Sequence, residues 1–103
     1  MGIRIPRNPQ AVWRAIKAYG TQELMASKLG VEQQTVSAWG SGDRPVPWQT
    51  CVRIERDTRQ LAAQRRDPTL VVTCEELLPG LDWEAVLQLA VLRLGAAKVG
   101  AAV

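Results

Sequence analysis

Gln33 and Gln34 stand side by side in the stretch "GVEQQTVSAW", and Ser37, Ala38 and Ser41 follow them at helical intervals. Residues three and four apart share a helix face, so two amides, two hydroxyls and a methyl make one outward surface. A glutamine carries a donor and an acceptor on one fork and can pair with both N6 and N7 of adenine. Lysines in the same places would hold any phosphate without distinguishing sequence. On an isolated helix, however, paired glutamines are only good helix formers that keep the surface polar. The element that carries them therefore decides what they do.

That element is preceded by another of the same size. Thr21 is a suitable cap for a helix over Gln22 to Leu29, with Glu23 near its positive end, and Gly30 supplies a left-handed stop. The next helix covers Glu32 to Ser41 and ends at Gly42, with Gly40 costing its last turn about 1 kcal/mol relative to alanine. Met25, Ala26, Leu29, Val31, Val36 and Trp39 all point inward on this reading, which leaves the glutamine face outside. Two short helices joined by a glycine turn are the arrangement in which the second enters a DNA major groove and the first braces it across the backbone.

The flanking elements complete an all-α fold: a compact helix-turn-helix domain of four to five helices with an additional C-terminal helix. Asn8 caps a first helix with Pro9 at its first position, Val12, Trp13, Ile16 and Tyr19 on one side, and Gly20 at its end. "DRPVPW" is a rigid connector to a fourth helix beginning near Trp48, with Cys51, Val52, Ile54, Thr58 and Leu61 as its buried stripe. Asp67-Pro68 stops that helix. "TLVV" is β-prone and reads as a strand or an extended link. Thr73 and Glu76 have capping-box spacing for a short helix over Cys74 to Leu78, and Asp82 caps a last helix through Trp83, Val86, Leu87, Ala90, Val91 and Leu94. The chain thus divides into an arm (1–8), the helix-turn-helix domain (9–66), an extension that offers a dimer or partner face (67–95) and a loose tail (96–103).

Composition narrows the chemistry. The 103 residues, 47% of them hydrophobic, suit one domain and contain no histidine. Cys51 and Cys74 lie outside any Cys-x-x-Cys spacing, so no metal site is expected, and they read as small apolar side chains, Cys74 partly exposed. No cofactor is expected. Without a glycine-rich phosphate loop or a nucleophile and base pair, and with Glu75 and Glu76 adjacent rather than on one face, the chain does not read as an enzyme. It has no apolar run long enough to cross a bilayer and no secretory signal, which points to the cytoplasm and to the nucleoid when DNA is bound. Trp13, Trp39, Trp48 and Trp83 are spaced as core, with Trp48 the exception.

Charge is unevenly distributed. Residues 1–66 carry 11 basic against 5 acidic side chains, and residues 67–103 carry 2 against 5. A basic front suits a polyanion and an acidic rear suits something else. Lys17, Lys28 and Arg44 are the cations best placed to grip phosphates beside the glutamine helix, while Arg4 or Arg7 can reach a groove from the arm.

"QELMASKLGVEQQTVSAW" resembles the helix-turn-helix of the lambdoid phage Cro and repressor superfamily, and with "RPVP", "RIER" and "VTCEELLPGLDW" the chain resembles the YdaS-like group of Cro-type antitoxins and prophage regulators over roughly residues 11–84. The resemblance implies that Gln22 contacts a phosphate at the start of the bracing helix. It likewise implies that Gln33 and Gln34 reach base edges, and that Ser37 and Ala38 face a base, a phosphate or a thymine methyl. Ser41, on the same face, joins the phosphate-contacting set. Two features depart from the group. Glu32 places a carboxylate at the start of the recognition helix, where it can accept from cytosine N4. "RQLAAQRRDPTL" is longer than the group's compact link. The leading expectation is a sequence-specific regulator, a repressor of phage or prophage type, that binds a double-stranded operator as a homodimer. The alternative is an antitoxin-like module that neutralises a partner toxin through its acidic half.

Overall fold

A computed structural model describes the backbone of residues 7–102 and the side-chain environments of residues 7–95. Of the arm read over residues 1–8, all but Arg7 and Asn8 lies outside the described residues. The chain is all-α: α1 (Pro9–Tyr19), α2 (Gln22–Leu29), α3 (Gln33–Ser41), α4 (Trp48–Arg65), α5 (Cys74–Leu77) and α6 (Trp83–Ala102), with a 3-10 turn at Pro68–Leu70 and no strand among the described residues.

Side chains start most of these helices. Thr21 Oγ1 accepts from the Leu24 N–H at 3.1 Å, Asn8 Oδ1 from Ala11 at 3.4 Å and Asp82 Oδ1 from Ala85 at 3.1 Å, each satisfying a donor that has no partner inside its helix. Thr73 Oγ1 accepts from the Glu76 N–H at 3.3 Å and donates to the Glu76 carboxylate at the same distance. Glu32, at the cap position of α3, makes no such bond.

Three helices stop by one device, a left-handed residue followed by a hydrogen bond back across the last turn. Gly30 (φ 71°) and Gly42 (φ 82°) do this for α2 and α3, with the Val31 N–H on Ala26 O and the Asp43 N–H on Ala38 O, both at 3.0 Å. For α4 the left-handed residue is Arg66 (φ 52°), with the Asp67 N–H on Ala62 O at 2.9 Å. Asp67-Pro68 then follows the stop instead of making it.

The core is built from the inward stripes of α1 to α5. Val12, Met25, Val36, Ile54, Val72 and Leu77 are fully buried, joined by Trp39 and Trp83. Buried polar groups are paired across elements. Thr58 Oγ1 donates to Ile54 O at 2.8 Å and accepts from the Val72 N–H at 3.1 Å, tying the link after the 3-10 turn to α4. Glu55 accepts from the Cys74 N–H at 2.8 Å and from Arg59 at 3.0 Å. Burial opposes its charge, yet these bonds hold the carboxyl below its ordinary range. The "TLVV" run is the end of the 3-10 turn followed by an extended link, with no strand among the described residues to pair with.

Several expectations change. Val52 is exposed beside Cys74, Trp83 and Leu87, and Leu61 is only partly buried, in a cleft it lines with Tyr19 and Leu24. Cys74 is buried, as is Cys51, and both are free thiols; burial pushes each up to about 12, with the Glu55 carboxylate adding to the effect at Cys74. Trp13 is half exposed instead of central. The backbone of α6 continues to Ala102, through most of the segment read as a tail, where alanines have the highest helix propensity.

Candidate nucleic-acid interface

The turn of α2 into α3 is held from both sides. Gly30 turns the chain, and Arg53 of α4 donates to Leu29 O at 3.0 Å and Lys28 O at 3.4 Å, placing a cation on the negative end of α2. Ala26 is buried at the joint, where a small side chain lets helices approach closely. Val31 packs against the core from the turn itself.

On α3 the two faces separate cleanly. Val36, Trp39 and Gly40 are buried, whereas Gln33, Gln34, Ser37 and Ser41 are exposed and Ala38 is half-buried. The predicted amide and hydroxyl face therefore exists as one surface. Ser41 Oγ donates to Ala38 O at 3.1 Å, which leaves its oxygen free to accept and occupies its proton. Glu32, Gln34, Thr35, Ala38, Asp43 and Arg44 line a polar hollow that joins this face to the loop after α3. Its amide, hydroxyl and guanidinium groups offer directional donors and acceptors, while Glu32 and Asp43 offset the charge of Arg44.

The predicted phosphate contacts are not all brought together. Arg44 stands in the hollow beside Gln34, and Gln22 sits half-buried at the first position of α2. Lys28 points elsewhere, lining a cleft with Tyr19, Asp57 and Gln64 between α2 and α4. Lys17 lies close enough to Asp67 to help lower its carboxyl, chiefly held down by Thr69, so it belongs to the side of α1 that meets the 3-10 turn. One turn earlier, Arg14 pairs with Glu76 and donates to Val71 O at 3.0 Å on that same side. Helical spacing placed these lysines outside but could not say which neighbour each would face.

Two clamps on α3 were missed. Trp13 Nε1 donates to Gly40 O at 2.9 Å, and its ring lies 3.3 Å from where a Cβ at position 40 would stand. Gly40 is thus a point of close approach, and the glycine in a helix interior was the signal for it. Arg7 is folded back, with Nη1 donating to Gly42 O at 3.1 Å, so it braces the end of α3. Arg4 lies outside the described residues.

The family model described as "Bacterial toxin YdaS" matches residues 12–86, the segment from α1 into the first turn of α6. A protein of Escherichia coli (strain K12) named "Putative transcriptional regulator YdaS" is 39% identical over 70 residues, covering 68% of this chain and 61% of that protein. No solved structure matches the chain. With the helix-turn-helix, the Trp13–Gly40 clamp and all of the hydrophobic core but Ala11 inside the matched segment, the chain belongs to the YdaS family.

Proposed function

We propose that the protein is a sequence-specific DNA-binding regulator, a repressor of phage or prophage type, that inserts α3 into the major groove of an operator and acts in the cytoplasm as a homodimer, without enzymatic activity. The observation that carries this is the division of α3, whose amides and hydroxyls are exposed together while Val36, Trp39 and Gly40 anchor the opposite face. Gln33 and Gln34 are the base readers, Ser37 and Ala38 the flanking contacts. Gln22, Ser41 and Arg44 set the register on phosphates. The regulator named among its relatives supports the reading. The family's description as a bacterial toxin names a different role for the same segment, residues 12–86, while the alternative of an antitoxin-like module that neutralises a partner toxin has no feature of the geometry in its favour.

Selection of sites from a random duplex library at near-physiological salt tests this directly. The wild-type protein should enrich a defined sequence, and Gln33→Ala or Gln34→Ala should each cost about 1 to 3 kcal/mol at that site and relax the preference at one base pair. Unchanged preference in both variants would remove these residues as readers.

A further inference from the structure

Among the described side chains of α6, only those of its first turn are seated on the core. Trp83 is buried, its Nε1 donating to Leu78 O at 2.8 Å, and Val86 packs beside it. From residue 87 to residue 95 every side chain is exposed, including Leu87 (53%), Leu89 (51%), Val91 (69%), Leu92 (70%) and Leu94 (64%). A helix this apolar on all sides is ordinarily covered, and one projecting alone is marginal in water.

We propose that a second copy of this chain covers α6, in an antiparallel helix pair with its two-fold axis near Val91. Glu84, Leu87, Val91, Leu94 and Lys98 follow the alternating three- and four-residue spacing of a packing seam. The seam is apolar at its centre and ends in opposite charges, Glu84 and Lys98, placed symmetrically about Val91. An antiparallel pair sets the Glu84 end of each helix against the Lys98 end of the other, whereas a parallel pair aligns like with like. Such self-complementarity is what a two-fold interface requires and what an unrelated partner would not need. Leu87 also falls near Gly95 of the second helix, where there is open space.

The pairing rests on the operator-binding reading for its purpose. With the axis near Val91, the two Trp83 attachment points lie about 24 Å apart along the helix axes, at about 1.5 Å per residue, so each helix-turn-helix unit is held at its own end of the pair.

Sedimentation of the full chain without DNA tests the pairing. Wild type should sediment as a dimer at micromolar concentration, and Val91→Glu should weaken association by about tenfold or more with helical content retained, since Val91 is outside the core. Glu84→Lys and Lys98→Glu should each weaken it about two- to fivefold, and the two together should restore it. A wild-type monomer at every concentration would overturn the proposal and leave the face to a different protein. Association insensitive to Val91→Glu would overturn it too, and failure of the double charge reversal would overturn the antiparallel arrangement. The DNA reading fails separately: a Val91→Glu monomer that keeps the base preference on a single half-site sustains it, whereas dimers that bind all duplexes equally would sink it.

Discussion

At the residue scale, Gly40 and Trp13 are one unit. A glycine in the last turn of a helix is costly by itself, about 1 kcal/mol against alanine. Here the missing Cβ admits the Trp13 ring, whose N–H satisfies the Gly40 carbonyl at 2.9 Å. A Cβ at 3.3 Å from the ring must push it outward and strain that bond. Gly40→Ala should therefore destabilise the protein by about 1 kcal/mol in urea unfolding, despite alanine's better propensity. In a Trp13→Ala background the same change should stabilise by about 0.5 to 1 kcal/mol. If Gly40→Ala has the same effect in both backgrounds, the two residues do not act together. Sequence periodicity showed the glycine but could not reveal its occupant. Trp13 shares the apolar side of α1 with Val12 and Ile16, and only the placement of α3 decides that its ring lies along a surface seam.

At the scale of elements, boundaries were legible wherever a local chemical signal made them. Thr21, Asn8, Thr73 and Asp82 cap as their side chains require, and Gly30 and Gly42 turn the chain as glycines can. The end of α4 was legible only to within a residue or two, because Arg66 adopts a left-handed conformation for which its side chain gives no sign. The conformation is imposed from outside: the Asp67 N–H bonds back to Ala62, and Asp67 then caps the 3-10 turn through Thr69 at 3.1 Å. An arginine held at φ 52° pays a steric penalty that glycine avoids. Arg66→Gly should accordingly raise stability by about 0.5 to 1 kcal/mol, less than the full penalty because glycine loses more freedom on folding. A shift of the urea midpoint to lower concentration would mean that the arginine side chain contributes contacts outweighing the strain.

Across the whole molecule, the basic excess of residues 1–66 looked like one polyanion-binding front, yet the fold disperses it. Arg14 pairs with Glu76, Arg56 with Asp57 and Arg59 with Glu55, while Arg53 and Arg7 are bound to backbone carbonyls at helix ends. Long-range packing assigns these partners, so a count along the chain could not find them. Among the described cations named for DNA contact, Arg44 alone lines the hollow beside Gln34. Affinity on the proposed operator must then depend heavily on neutral donors such as Gln22 and, once its hydroxyl turns away from Ala38 O, Ser41, which release few counterions. The slope of log K against log salt should be shallow, about −1 to −3 per half-site, given roughly 0.9 per neutralised phosphate. Arg44→Gln should reduce its magnitude by about 0.9 and weaken every duplex alike, leaving base preference intact. Gln34→Ala should do the reverse, changing preference at one base pair with the slope unaltered. A slope much steeper than this, unmoved by Arg44→Gln, would place the phosphate grip on a different surface, such as the arginines at the end of α4, and with it a different orientation of the protein on DNA.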